Sequence, residues 1–378
     1  MRRLLSRGFL AGAGIIAALL SVILLLTPLI ALGLPASLRD HTYDEISFRY
    51  IARTQLPPTR SLEALMETAM DYTRRQLWLI HYPDPYSAKP FRYLVNGVGW
   101  CDYVAKVFCK LVANRGISAR YTCLMDANGV SPHTIAEVYT EGNWRPVDPF
   151  HLMIYRDKRG VWPTLEEMTP AFVERLPHFA ALRRTTGGWD ESILGVARRT
   201  LPTRHAPDRS DDFLREKHLL DRIADFYVDL FGRPFVEWYQ DRYLERDLAP
   251  LSDPAERLWR SARHYHLYGR LEQAQACYRE LLTLGSSSHR EPAAVFLSQL
   301  LVDGKQFSEA RRLLDGFAQE MPQARWVYFS LALCDRGLGD SEQELRHIQI
   351  YRRRNGQHYG LEAAERFRQL SLAENDLL

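Results

Sequence analysis

The sequence predicts a chain of three parts: an N-terminal transmembrane helix, an α+β domain and an all-α repeat domain. Three observations predict it. Residues 8–38 hold no charged side chain. A helix-patterned segment opening at Cys101 is followed by three short β-patterned runs. After Pro254 a pattern of small and apolar residues returns at spacings of 36 and 34 residues. The boundaries that follow are 1–38 for the anchor, 39–202 for the α+β domain with its core at 61–150, 203–250 for a helical linker region and 251–378 for the repeats.

The 378 residues are enough for two or three cores. Lys and Arg number 49 against 46 Asp and Glu, a formal charge of +3. That is too small over this length to build a nucleic-acid surface, so no nucleic-acid partner is expected. Hydrophobic content of 46% with 25% charged residues is that of a folded protein. Five cysteines leave at least one without an intrachain bridge. Cys101 and Cys109 cannot bridge each other on one helix, where eight residues span about 12 Å. There is no CxxC and no HExxH, so no metal site is expected.

Arg2, Arg3 and Arg7 precede the uncharged stretch. It is longer than the roughly 7–15 residues of a signal-peptide core and reaches the about 20 needed to cross a bilayer. An uncleaved anchor is expected, with the arginines on the cytoplasmic side and the chain after Arg39 on the other. The expected localisation is a single-pass membrane protein, its soluble part facing the periplasm in a bacterial cell. A cleaved signal peptide is the alternative, with small residues at Leu34-Pro35-Ala36-Ser37 but no A-x-A site.

Within the α+β domain, Leu62, Leu65, Met66, Ala69, Met70 and Tyr72 recur at helical spacing behind Ser61 as N-cap. Residues 81–90 carry three prolines and read as an ordered loop. Val104, Val107, Phe108, Leu111 and Val112 mark one face of the next helix, and Gly116 supplies its left-handed stop. Cys101 therefore falls at a helix N-terminus, where unpaired N–H groups and the helix dipole favour a thiolate. Three β-patterned runs follow, at 117–125, 134–140 and 144–147. His133 opens the second and Asp148 closes the third. Cysteine, histidine and aspartate in this order supply a nucleophile, a base and an orienting carboxylate.

The segments GWCDYVAKVFCKLVANRGISARY, HTIAEVY and WRPVDPF resemble, in order and spacing, three sequence blocks of the transglutaminase-like superfamily, whose core is papain-like. The resemblance implies catalytic roles for Cys101 as nucleophile, His133 as general base and acid, and Asp148 as orienting carboxylate. It implies a thiol enzyme acting on amide bonds of a protein or peptide through a thioester, as protease, amidase or cross-linking transferase, with no cofactor. Ser118 stands where the family has proline and Ile135 where it has tryptophan. Strand register alone gives a different expectation for the last two residues. A two-residue loop at Gly142-Asn143 puts Asp148 opposite Glu137 and leaves His133 roughly 13 Å further along the strand.

Beyond the core, Thr164 with Glu166 and Glu167 reads as a helix start, and Trp162 and Trp189 as core residues rather than groove lining. The 203–211 stretch is polar and reads as a linker, followed by helices near 213–230 and 236–244. In the repeats, Gly269, Lys305 and Gly339 open equivalent turns. Seven positions before stand Ala262, Ser298 and Ala332; five after stand Ala274, Ala310 and Glu344; nine after stand Tyr278, Leu314 and Ile348. The pattern resembles tetratricopeptide repeats, with Asp335 and Glu344 departing in the third copy and a capping helix near 361–372. Such arrays bind proteins or peptides, so a protein partner is expected there. Arg352-Arg353-Arg354 reads as a solvated charge run. The rival to an enzyme is an inactive scaffold that recruits a partner through these helices.

Overall fold

The computed structural model describes residues 36–56, 61–77, 90–97, 99–124, 133–157, 159–168, 219–284, 288–324 and 326–355, with isolated positions at 18–22, 26, 33 and 58. Helix α1 is Ala36–Gln55. It corrects the expected anchor. Among the described residues no helix is long and apolar enough to cross a membrane. The last residues of the expected span instead open α1, which carries Arg39, Asp40, Asp44, Glu45, Arg49 and Arg53. This helix buries Tyr43, Ile46, Phe48 and Ile51 in a protein core. A helix so charged is stabilised by packing an apolar stripe on protein, not by lipid. The single-pass localisation and the periplasmic placement fall with it, and most of 1–35 lies outside the described residues.

Helices α2 (Leu62–Gln76), α3 (Pro90–Asn96) and α4 (Cys101–Ala113) follow. Ser61 caps α2, its side chain accepting from the Ala64 N–H at 3.3 Å. All five apolar positions predicted for the α4 face are fully buried. Gly116 ends α4 at φ +83°, with Ile117 N–H donating to the Val112 carbonyl at 3.1 Å. The predicted loop at 81–90 lies outside the described residues except for Pro90, which begins α3.

Strands β1 (Ala119–Leu124), β2 (His133–Thr140), β3 (Asn143–Asp148) and β4 (Met153–Ile154) form one antiparallel sheet in that order. Helix α4 packs on β1 and β2, so the helix that begins with Cys101 lies across the strand that begins with His133. Thr164 and Glu167 cap each other, each backbone N–H donating to the other's side chain, but residues 165–167 form a turn where a helix start was expected. Trp162 is a core residue whose Nε1 donates to the Pro146 carbonyl at 2.9 Å; Trp189, the 203–211 stretch and the 361–372 helix lie outside the described residues.

Helix α5 (Leu219–Leu248) kinks at Gly232, where φ is +59° and Pro234 removes a backbone donor. It packs along α1, and Val228, Val236, Tyr239 and Tyr243 enter the same core as α1 to α4. Three helix pairs follow among the described residues: α6 (Pro254–Leu267) with α7 (Leu271–Thr283), α8 (Arg290–Asp303) with α9 (Phe307–Glu320), and α10 (Val327–Leu338) with α11 (Ser341–Asn355). Gly269, Lys305 and Gly339 all take positive φ, at +72°, +58° and +77°. The nine repeating positions around them are all buried. The buried acids Asp335 and Glu344 are paired, Asp335 with Arg311 and His347 and Glu344 with Arg336. Arg354 is not a solvated charge: it donates to the Ala324 carbonyl at 3.2 Å and stacks on Tyr328.

Candidate active site

The β2–β3 turn determines whether His133 reaches Asp148. Its two central residues are Glu141 and Gly142, at φ +51° and +79°, the paired left-handed geometry of a type I′ turn. Thr140 pairs with Asn143 and Glu137 with Pro146. The loop thus sits one residue earlier than the expected Gly142-Asn143 loop, and the pairing shifts by two. The register carries Asp148 level with Ile135 instead of Glu137, on the same face as His133 and diagonal to it. Diagonal neighbours lie about 7–8 Å apart at their backbones, within reach of an imidazole and a carboxylate. A shift of two preserves which face each side chain takes, so the expected register differs from the observed one in the distance and not in the face.

His133 Nε2 donates to Asp148 Oδ2 at 2.7 Å. Both side chains are buried. The Cys101 thiol lies close enough to His133 to raise the imidazole, so the three residues singled out in the sequence come together. With Nε2 engaged by Asp148, Nδ1 is the imidazole nitrogen that remains for the thiol. Burial pulls the imidazole down, but the charge and hydrogen bond of Asp148, helped by Cys101, outweigh it and raise His133 from 6.5 to about 10. The imidazolium is therefore the resting form at neutral pH.

Asp148 accepts from more than His133. The backbone N–H groups of Phe150 and His151 donate to Oδ1 at 3.0 and 3.1 Å, an Asx turn built by the Asp-Pro-Phe-His run. His151 Nδ1 and the Tyr155 hydroxyl donate to Oδ2 at 2.7 and 3.2 Å. Burial alone would raise this carboxyl; the charges and hydrogen bonds of His151 and His133 hold it well below the usual carboxylate range. His151 is the reverse case. Burial lowers it, opposed by the charge and hydrogen bond of Asp148 and aided by the charge of His133. Sequence reasoning missed His151 and Tyr155, and the Asp-x-x-His spacing behind an Asx turn was the available signal.

His133, Asp148 and His151 present three possible metal-ligand atoms within 4.8 Å of one another. A tetrahedral ion with bonds of about 2.0–2.1 Å holds its donors about 3.3 Å apart. Here Oδ2 is 2.7 Å from each imidazole nitrogen. Protons occupy these contacts, and the cluster fits a hydrogen-bond network better than an ion.

Cys101 is half-buried at the first position of α4. Trp100, the N-cap residue, has no side-chain capping bond and stands 42% exposed beside the thiol. Burial raises the thiols of Cys109, Cys277 and Cys334, and Cys109 and Cys334 lie in the core, while Cys123 is half-buried like Cys101. Away from the site, Arg120 donates to Glu137 at 2.8 and 3.2 Å across the β1–β2 pair and stacks on Trp144 at 4.3 Å. These two residues lie in two of the blocks quoted above.

A cysteine at a helix N-terminus beside a histidine on a sheet whose next strand supplies a carboxylate is the arrangement that the resemblance to the transglutaminase-like superfamily implies. Residues 49–149 match the family model of the transglutaminase-like superfamily, and this part of the chain is a transglutaminase-like domain. The match spans just over a quarter of the chain and begins inside α1. No curated protein and no solved structure matches the chain.

Proposed function

We propose that this domain is a thiol enzyme that acts on amide bonds of a protein or peptide through Cys101, His133 and Asp148. The observation that carries the reading is the 2.7 Å contact from His133 to the buried Asp148, with the Cys101 thiol close enough to the imidazole to raise it. The pair acts as thiolate and imidazolium. The Cys101 thiolate attacks the amide carbonyl, and backbone N–H groups at the α4 start, including that of Cys101, receive the oxyanion. His133 gives its proton to the departing nitrogen, the C–N bond breaks and a thioester forms. His133, now neutral, takes a proton from water or from a primary amine as that nucleophile attacks the thioester, releasing the thiolate with an acid or a new amide. Asp148 keeps its charge throughout and holds the imidazolium in orientation.

The helix pairs after Pro254 support a second role for the chain, recognition of a protein or peptide by stacked helical hairpins of tetratricopeptide type. Two assays on the full chain test the enzymatic reading. One follows incorporation of a fluorescent primary amine into a glutamine-rich unfolded protein. The other follows new amino termini in the same protein. Activity in either assay, abolished by Cys101→Ala, is expected; wild type and Cys101→Ala indistinguishable in both would leave only the scaffold.

A further inference from the structure

The guanidinium of Arg263, in α6, is completely buried. Burying a cation is expensive unless hydrogen bonds replace its water. Nη2 donates to the Leu94 carbonyl at 2.7 Å and to the Gln76 carbonyl at 3.1 Å, and Nε donates to Leu94 again at 3.2 Å. The same group lies over the Phe296 ring at 3.8 Å. Leu94 is in the last turn of α3 and Gln76 is the last residue of α2. Helix ends leave such carbonyls without intrahelical partners, and a cation there also meets the negative end of each dipole. One arginine from the helical part thus closes two helices of the transglutaminase-like domain.

The chain between α3 and Cys101 runs through the same contacts. Gly97, at φ +70°, has no room for a side chain: a Cβ there would lie 2.9 Å from Phe296 and 3.3 Å from Trp259. At Gly99 a Cβ would lie 3.0 Å from Leu77, the residue after Gln76. The approach to Cys101 is therefore gripped at Gly97 by the ring under Arg263 and at Gly99 by the residue next to one of Arg263's acceptors.

We infer that Arg263 is a positioning residue for Cys101: by fixing the ends of α2 and α3 it sets Gly97 and Gly99, and through them the start of α4 that presents the thiol to His133. The helices after Pro254 then complete the site. This inference rests on the reading of Cys101 as a thiolate nucleophile.

The test is the rate of Cys101 alkylation by iodoacetamide in the full chain, followed by peptide mass spectrometry from about pH 5 to about 9, across the ordinary thiol range. Arg263→Met is expected to lower the rate at about pH 6 by roughly tenfold or more, the scale of loss from a misplaced reacting group. It is also expected to move the profile toward an ordinary thiol near about 8.5. Arg263→Lys keeps the charge without the planar fork and falls between. A wild-type profile in a folded Arg263→Met protein, even one that unfolds earlier, would overturn the inference, because a purely structural role moves stability and leaves the profile in place. If Arg263→Met does not fold, Phe296→Leu decides. It removes the ring between Arg263 and Gly97, and an unchanged profile there overturns the inference equally. If wild-type Cys101 itself labels as an ordinary thiol, the catalytic reading falls and this inference with it; if only the variants match a reactive wild type, this inference alone falls.

Discussion

His133 and Asp148 meet at 2.7 Å across two strands joined by the Glu141-Gly142 turn, and the contact is made inside the protein, where an ion pair is weakly screened. Asp148→Asn keeps the shape but turns an amide N–H toward groups that donate to Oδ1 or Oδ2. His133 loses its charge partner and burial then favours the neutral ring. Turnover is expected to fall about a hundredfold or more, with about 1–3 kcal/mol of stability, measured by amine incorporation and urea unfolding. The linkage has two ends. The raised His133 stabilises fully below 6.5 and its contribution is lost as pH rises through about 10. The depressed Asp148 stabilises above 3.8 and its contribution is lost as pH falls. The variant is expected to lose stability relative to wild type most between those ends.

The turn holds Glu141 at φ +51°, a conformation asparagine adopts far more readily than glutamate. Glu141→Asn creates the preferred Asn-Gly pair of a type I′ turn. The urea midpoint is expected to rise, by about 0.5–1 kcal/mol of stability, with the slope of the transition unchanged. A fall would mean that the strands are registered by something other than this turn.

Glu137 is buried between Arg120 and the Thr122 hydroxyl, which donates to it at 2.6 Å. Glu137→Ala strands both donors under Trp144 and is expected to cost about 1.5–3 kcal/mol. Glu137→Gln restores one acceptor and is expected to cost less, by the same unfolding measurement.

Acid should destabilise the joint between α1 and α6. His264 accepts a hydrogen bond from the Tyr43 hydroxyl at 2.7 Å on Nδ1, and burial lowers it from 6.5 to about 3. His266 is likewise lowered by burial. Between about 6.5 and about 3 the unfolded chain binds a proton that the folded His264 refuses, so it subtracts about 1.4 kcal/mol per pH unit on acidification, and His266 acts in the same direction. Asp44, raised by burial from 3.8 to about 7, opposes one of them, because there the folded state binds the extra proton. The net expectation is a lower urea midpoint at about pH 5 than at about 7. His264→Gln, which retains an acceptor for Tyr43, is expected to narrow the difference.

Much of this was legible in residue patterns. The α4 face, the Gly116 stop and the repeating burial around Gly269, Lys305 and Gly339 all follow from local periodicity and turn chemistry, whereas the roles given to Cys101, His133 and Asp148 rest on the family resemblance. The His–Asp distance was not, because a loop drawn one residue late shifts the pairing by two while leaving every face unchanged. His151 and Tyr155 were hidden because their partner is a carboxylate that sequence alone gives one task. The uncharged N-terminal stretch was read as a span from hydropathy, yet its end at Ala36 opens a helix whose burial depends on partners far along the chain, such as Tyr243 and Tyr268. Arg263 looked like one basic residue among 49, and its role depends entirely on tertiary placement.

The most direct test of the central claim is the pH dependence of Cys101 alkylation in the wild-type protein beside His133→Ala and a small model thiol. Cys109, buried in the core, serves as the control for unfolding. A thiolate–imidazolium pair predicts fast labelling of Cys101 at about pH 6, well below the ordinary thiol value of about 8.5, and loss of that reactivity in His133→Ala. A rate that follows the model thiol across the range and ignores the His133 substitution would contradict it.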